Sequence, residues 1–330
     1  MKALVYTNPD EIVFRDAPDP VPAAGEALLE VEAVGICGSD MHGYHGLDPR
    51  RRPPLILGHE AAARIIAGST PGRRVVINPL ITCGRCAACE SGRQNLCAER
   101  RLIGMNRPGA FARLIAIPET NLLAIPDGMA ATAAALTEPA ATALHALSLG
   151  ARVAHRPLAE LRALILGGGS IGLLSALWLQ AFGSREMLLG EVNPLRRAAA
   201  EQAGCAVYDP AASDAAPEGV FDLVVDAVGT AATRAAALRA VRPGGIVLHI
   251  GLGDSAGETD FRKITLAEIS VIGSYTYTPA DLRAAVTALH EGKLGTLSWV
   301  EPRRLAEGAR AFADLAAGRT AAAKIVLLPV

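Results

Sequence analysis

Strand-like and helix-like segments alternate along the chain after Leu161, and this alternation constrains the fold more than any other feature of the sequence. Continuously apolar runs such as FDLVVD and IVLHI are separated by segments with helical spacing, such as SIGLLSALWLQAFG. Apolar strands that alternate with amphipathic helices are typical of a parallel sheet covered on both faces. We therefore predict an α/β fold with a doubly wound parallel sheet in this part of the chain.

A glycine motif lies between the first strand and the first helix of this region. Gly167, Gly169 and Gly172 form the pattern G-x-G-x-x-G, and Ser170 and Ile171 lie within it. The first glycine permits a tight turn, the second lets a pyrophosphate approach the backbone, and the third lets helix and strand pack closely. Free N–H groups at the helix start hold phosphates. The motif predicts a dinucleotide site.

The next strand, EMLLGE, ends at Glu191, nineteen residues beyond Gly172. A carboxylate in this place accepts hydrogen bonds from the hydroxyls of an adenosine ribose and repels a 2′-phosphate, which favours NAD over NADP. Arg196 and Arg197 follow closely, either as a solvated helix face or as groups that soften this discrimination.

The first 130 residues are β-rich instead. Short apolar runs are separated there by clusters of Pro, Gly and Asp that predict turns. The chain ends with two predicted helices and a last strand, KIVLLPV. A chain of this length favours about two domains. We interpret the α/β block as inserted between a β-rich front and a C-terminal return.

Four cysteines fall within fifteen residues, at Cys83, Cys86, Cys89 and Cys97. Four thiolates at this spacing close a tetrahedron without an open position, which predicts a structural zinc site. An iron–sulfur cluster is the competing interpretation, but the last gap is too long and Ala98 stands where a proline would follow.

A second group is dispersed along the front of the chain. It comprises Cys37, His59, Glu60 and, much further on, Glu138. A thiolate, an imidazole and a carboxylate supply three ligands and leave a fourth position for water or substrate. This donor set is typical of a catalytic zinc.

The overall charge is nearly balanced, with 32 Lys and Arg against 33 Asp and Glu and a net charge of −1. A nucleic-acid binder usually carries a basic surplus, so we expect no nucleic-acid partner. No apolar run is long enough to span a bilayer, and the start of the chain has acidic residues where a signal peptide would need an apolar core, so we expect no signal peptide. We expect no membrane partner and a cytoplasmic location.

Together, these motifs resemble the zinc-dependent medium-chain alcohol/polyol dehydrogenase family, in its sorbitol, threonine and galactitol-phosphate dehydrogenase branch. The matching segments are ICGSDMH, LGHE, CGRCAACESGRQNLC, GAFAR, EPAATALHA, GGGSIG and the closing GKL and KIV. The resemblance implies a GroES-like β-rich catalytic domain of residues 1–143 and 278–330, with a structural zinc lobe at about 80–100. It also implies a Rossmann coenzyme domain of residues 144–277.

The resemblance also assigns the site. Cys37, His59 and Glu60 would ligate the catalytic zinc, and Glu138 would be a direct ligand, a water-bridged ligand or an alternate for Glu60. Asp40 resembles the carboxylate that orients the zinc-binding histidine.

The resemblance also implies roles in proton transfer and coenzyme binding. Ser39 would take the proton of the substrate hydroxyl, and His42 would pass it to solvent through the nicotinamide ribose. Gly251 and Leu252 fall where the chain passes the nicotinamide. Arg196 joins Glu191 among the coenzyme-binding residues.

The expected function is hydride transfer between a secondary alcohol, such as a small polyol, and NAD, with two zinc ions per chain. We expect a homodimer or homotetramer, paired through the strand EISVIGSY. The triplet Arg50–Arg52 is a solvated loop or a receptor for an anionic substrate such as a sugar phosphate. The same motifs also allow a zinc-independent NADPH reductase of the same fold, or a binding protein without turnover.

Overall fold

A computed structural model describes residues 1–212 and 216–329. Strands dominate the first part of the chain, as the sequence predicts. They are β1 (Lys2–Asn8), β2 (Glu11–Asp16), β3 (Glu26–Gly35), β4 (Leu55–Ile56), β5 (Glu60–Ala67), β6 (Arg74–Ile77), β7 (Leu80–Ile81), β8 (Arg101–Leu102), β9 (Leu114–Pro118) and β10 (Leu122–Ala124). Two short helices, α1 (Gly38–Tyr44) and α2 (Ala87–Glu90), interrupt them.

The middle of the chain alternates between helices and strands. Its elements are α3 (Ala131–Ala135), α4 (Thr137–Ala151), β11 (Ala163–Leu166), α5 (Ser170–Ala181), β12 (Met187–Gly190), α6 (Pro194–Gln202), β13 (Val207–Tyr208), β14 (Phe221–Asp226), α7 (Ala231–Ala240), β15 (Val241–His249), α8 (Phe261–Leu266) and β16 (Ser270–Gly273). The six strands form one parallel sheet in the order β13-β12-β11-β14-β15-β16. This is the Rossmann order, and the predicted doubly wound sheet is confirmed.

The last part of the chain returns to the first sheet. Its elements are α9 (Pro279–His290), β17 (Val300–Arg304), α10 (Gly308–Ala316) and β18 (Lys324–Leu328). Strand β18 pairs with β3 in antiparallel register, and β17 pairs with β18. The resulting seven-stranded sheet combines residues from both ends of the chain. The C-terminal return predicted from the sequence is therefore present.

Helix α4 connects the β-rich first part of the chain with the part that forms the parallel sheet. It packs against α5 and α9, and its buried face includes Leu144 and Leu147. Trp178 of α5 donates its indole N–H to the carbonyl of Ala140 at 2.9 Å. Residue 143, the expected end of the first catalytic segment, lies within this helix. Among the described residues, no helix is both long and apolar enough to cross a membrane.

Candidate active site

Helix α1 carries the three predicted catalytic residues, and its start is fixed by one of them. Asp40 is fully buried, and its Oδ2 accepts a hydrogen bond from the Cys37 backbone N–H at 3.1 Å. Its Oδ1 accepts one from Gly58 N–H at 3.3 Å. The Asp40 carboxylate therefore links two segments: the turn that carries Cys37 and the loop that carries His59.

His59 lies between two of these side chains. Its Nδ1 faces Asp40 Oδ1 at 3.4 Å, and its Nε2 lies 3.5 Å from Ser39 Oγ. Burial alone lowers the pKa of His59, but the charges of Asp40 and Cys37 raise it well above its ordinary value. Burial alone raises the pKa of Asp40, but His59 and Arg51 lower it below its ordinary value. Asp40 is thus a stable carboxylate beside the imidazole, and its role in orienting His59 stays a prediction.

The ligand atoms of Cys37, His59 and Glu60 all lie within 4.8 Å of one another. One sulfur, one imidazole nitrogen and one carboxylate oxygen match the three-ligand zinc sites that keep an open position. The residues present therefore fit a catalytic zinc. Ser39, half-buried, borders this group, and His42 follows it on the same helix by three residues.

Glu60 has a partner that sequence reasoning missed. Lys324 Nζ, at the start of β18, lies 2.7 Å from both carboxylate oxygens of Glu60 and donates to Ile36 O at 2.9 Å. Both side chains are buried. The pair reaches across the end of β3 at Gly35, where a Cβ would lie 2.1 Å from Glu60 Oε2. A lysine in the apolar segment KIVLLPV was the available signal.

Glu138 lies in the first turn of α4, buried but outside the three-residue group. Burial raises the pKa of its carboxyl to about 7; the charge of Glu60 adds to this, whereas His59 and Lys324 oppose it. Tyr277 is buried beside it, and burial together with the charge of Glu138 raises the pKa of the Tyr277 hydroxyl well above its ordinary value. As a metal ligand, Glu138 stays a prediction.

The four clustered cysteines converge on one point. Their Sγ atoms lie 3.9 Å apart for Cys83 and Cys89, 3.5 Å for Cys86 and Cys89, and 3.6 Å for Cys97 and Cys83. A tetrahedral zinc with Zn–S bonds of about 2.3 Å spaces its sulfurs about 3.8 Å apart. Backbone N–H groups of Arg85 and Cys86 help lower the pKa of Cys83 to about 7. The lobe fits a tetrathiolate zinc.

The three glycines of the motif occupy three different environments. Gly167 has a φ of +100°, which favours glycine, and a Cβ on Gly172 would lie 1.8 Å from the Gly167 carbonyl oxygen. Gly169, the N-cap of α5, has no atom within 4 Å of such a Cβ. Open space thus lies where a pyrophosphate would approach. Ser170 donates to Ala323 O at 2.8 Å, and Ile171 is half-buried in the first turn.

Glu191 is buried at the end of β12 and already engaged within the chain. Its carboxylate accepts hydrogen bonds from Gly168 N–H and Asn193 N–H, each at 2.8 Å, and from Arg196 Nη2 at 3.1 Å. Arg197 instead donates to the Glu191 backbone carbonyl and pairs with Asp209 at 2.9 Å. Of the two arginines, Arg196 alone shares the carboxylate.

Gly251 and Leu252 follow β15 and meet the loop that follows β14. A Cβ on Gly251 would lie 2.1 Å from the carbonyl carbon of Val228, so only glycine permits this approach. Leu252 is exposed. Asp226, which sequence reasoning missed, holds both loops: its side chain accepts from Gly229 N–H at 2.8 Å and its backbone carbonyl accepts from Gly251 N–H at 3.0 Å.

The arginine triplet is divided: Arg50 and Arg52 are exposed, as a solvated loop predicts, whereas Arg51 is buried, and contact with an anionic substrate stays a prediction. Arg50 and Arg51 each pair with Asp48, and Arg51 is only 3% exposed. Arg52 is exposed and reaches the carbonyl of Pro49 at 3.5 Å. A buried Asp48 thus neutralises part of the triplet, and Arg51 is a packed residue rather than part of a solvated loop.

Two family models match the chain. That of the alcohol dehydrogenase GroES-like domain matches residues 23–127, and that of the zinc-binding dehydrogenase matches residues 170–291. L-Galactonate-5-dehydrogenase of Escherichia coli (strain K12) is 32% identical over 310 residues, 89% of this chain and 88% of that protein. Sorbitol dehydrogenase of Bacillus subtilis (strain 168) is 35% identical over 298 residues, covering 84% of this chain and 82% of that protein.

A solved structure from Sinorhizobium meliloti 1021, described as a zinc-binding dehydrogenase bound to NADP, has a TM-score of 0.88 and 32% identity. It and this chain cover 99% of each other. The chain therefore belongs to the zinc-type medium-chain alcohol/polyol dehydrogenase family. It is an oxidoreductase acting on CH–OH groups, with zinc and a nicotinamide dinucleotide as its cofactors.

Proposed function

We propose that this protein oxidises a secondary hydroxyl of a small polyol or sugar acid with NAD. The observation that carries the proposal is the convergence of Cys37, His59 and Glu60 beside the Ser39 hydroxyl. The similarity to sorbitol and L-galactonate dehydrogenases favours a substrate with several hydroxyl groups.

Zinc, when bound by these three residues, supplies a Lewis acid that acidifies a substrate hydroxyl, and NAD supplies the hydride acceptor. Ser39 Oγ accepts the hydroxyl proton. His42, three residues further along α1, lies on the same helical face and passes the proton towards solvent. Asp40 keeps His59 oriented throughout. Glu138 borders the group as a fourth ligand, a water-bridged ligand or an alternate for Glu60.

NAD is the proposed cofactor because the buried carboxylate of Glu191 lies beside Gly168 of the glycine motif, where the adenosine ribose would bind. Gly167, Gly169, Ser170, Ile171 and Gly172 would hold the pyrophosphate. Arg196, Gly251 and Leu252 would complete the site at its two ends. Comparing kcat/KM for NAD and NADP tests the preference directly, and a higher value for NADP would contradict it.

The decisive experiment measures NADH formation with sorbitol, L-galactonate, L-threonine and galactitol 1-phosphate, alongside the zinc content. We expect two zinc ions per chain and turnover of at least one unphosphorylated polyol or sugar acid. Cys37→Ser should abolish turnover and leave NADH binding unchanged. Cys205→Ser is the matched control, because Cys205 is a buried free cysteine outside both cysteine-containing groups.

Three outcomes would redirect the proposal. Activity with the phosphate ester alone would favour an anionic substrate. NADPH-dependent reduction with a single zinc would favour the zinc-independent reductase. Near-full activity of Cys37→Ser would contradict the catalytic zinc.

We propose the same domain division as the family: a catalytic domain of residues 1–143 and 278–330, and a coenzyme domain of residues 144–277. The two sheets support it. Strand β16 lies at the edge of the parallel sheet, and Val271 on it is 49% exposed. We propose that this edge pairs two chains in a homodimer or homotetramer, which light scattering would test. Six free cysteines favour a reducing compartment such as the cytoplasm.

A further inference from the structure

Arg51 is a buried cation whose guanidinium group contacts the hydroxyl of Ser39. Its Nη2 donates to Ser39 Oγ at 3.2 Å, its Nε donates to Gly104 O at 3.2 Å, and its Nη1 pairs with Asp48 Oδ2. The Arg51 side chain is 1% exposed. Neither zinc group includes this arginine, and the proposed proton path does not require it.

The local backbone is shaped to admit this side chain. A Cβ on Gly43 would lie 2.5 Å from Arg51 Cδ, so the glycine lets the arginine cross helix α1. Asp48 is buried and also accepts three hydrogen bonds from Arg50. Burial raises the pKa of Asp48, but these bonds and the neighbouring arginine charges lower it below its ordinary value. The cation is therefore compensated and held in place.

A guanidinium donates hydrogen bonds, accepts none and keeps its proton. Ser39 Oγ must therefore be the acceptor in its bond to Arg51. One Ser39 lone pair is occupied, which leaves one lone pair and the O–H directed elsewhere. Since His59 Nε2 lies 3.5 Å from the same oxygen, one of the remaining directions points towards the metal group.

We propose that Arg51 is a positioning residue that fixes the direction of the Ser39 hydroxyl for proton transfer. In that step the substrate O–H bond breaks and a new Ser39 O–H bond forms. The original Ser39 O–H bond breaks, and its proton moves towards His42 and solvent. The inference rests on the proposed function, because it requires Ser39 to carry the substrate proton.

A double-mutant cycle on kcat tests this role, using whichever of sorbitol, L-galactonate, L-threonine and galactitol 1-phosphate is turned over fastest. Arg51→Met removes the donor while keeping most of the side-chain volume, and we expect kcat to fall about 10- to 100-fold. In the Ser39→Ala background the same change should cost less than about twofold, because residues acting as one unit are non-additive. Arg15→Met, at an exposed arginine of strand β2, is the control and should leave kcat unchanged.

Three further readouts separate positioning from general damage. Arg51→Met should keep its zinc content and its NADH affinity, and its solvent deuterium isotope effect on kcat should rise. Arg51→Lys, which retains a donor and a charge, should recover part of the activity. It replaces Arg51→Met in the double-mutant cycle if Arg51→Met does not fold. In the zinc-free protein, the urea midpoints of the single and double variants should also be non-additive.

Equal losses from Arg51→Met in both backgrounds, or full activity of Arg51→Met, would overturn the role of Arg51 alone. A wild-type protein that oxidises none of the four alcohols, or full activity of Cys37→Ser, would overturn the proposed function as well.

Discussion

Replacing Lys324 with methionine removes the ammonium that lies 2.7 Å from both oxygens of Glu60. Lys324 is 2% exposed and Glu60 is fully buried, so water cannot replace the lost partner. Removing one partner of a buried ion pair typically costs about 3–5 kcal/mol, because the remaining charge is left uncompensated. Methionine has a similar length, so a cavity adds little. We expect the zinc-free protein to lose this amount of unfolding free energy.

The loss should depend on what else compensates Glu60. Zinc bound beside the carboxylate supplies positive charge, so the zinc-loaded variant should be less destabilised than the zinc-free one. In the double variant Glu60→Gln with Lys324→Met, neither of the two positions carries a charge, so this variant should recover most of the stability that Lys324→Met loses. Lys2→Met is the control: Lys2 pairs with Asp16 at 2.9 Å on the exposed surface, where such pairs contribute about 0–1 kcal/mol.

The assay is urea unfolding followed by tryptophan fluorescence, since Trp178 and Trp299 are both buried. Wild type and variants are compared with zinc and after chelation. A loss below about 1 kcal/mol for Lys324→Met in the zinc-free protein would refute the reasoning. So would a double variant that is no more stable than the single one.

Further predictions concern the glycine motif, the choice of cofactor and the carboxylate of Asp281. Gly169→Ala should fold normally yet bind NADH at least about tenfold more weakly, because its Cβ meets only the space left for pyrophosphate. Gly172→Ala should lower the melting temperature, since its Cβ would lie 1.8 Å from a backbone carbonyl oxygen. Glu191→Gln should raise the ratio of kcat/KM for NADP to that for NAD, because a charge that repels the 2′-phosphate is lost. Burial raises the Asp281 pKa, but hydrogen bonds, first of all from His145, lower it below its ordinary value. The ionised Asp281 carboxylate therefore stabilises the fold at pH values above the pKa it has in the unfolded chain. Asp281→Asn should destabilise the protein at those pH values, and this loss, measured by urea unfolding, should shrink as the pH falls through the pKa of Asp281 in the folded protein.

Local patterns accounted for much of the fold. The strand–helix alternation and the glycine motif predicted β11, α5 and β12 in order, because each element is specified by a periodicity within about a dozen residues. The spacing of Cys83, Cys86, Cys89 and Cys97 likewise predicted a convergence that their sulfur positions match. Helix α1 was not predicted, since its seven residues are too few to show a period.

The sequence by itself therefore determined the parallel sheet, the glycine motif of the dinucleotide site and the types of donor atom in the two predicted zinc sites. Only the tertiary structure decided which charges lie beside those donors. Lys324 meets Glu60 across 264 residues of chain because β18 returns to the end of β3 at Gly35. Arg51, within what reads as a charged loop, is buried because Gly43 leaves it a path to Ser39. Such pairings depend on strand register and on space between elements, and neither is encoded in any local pattern.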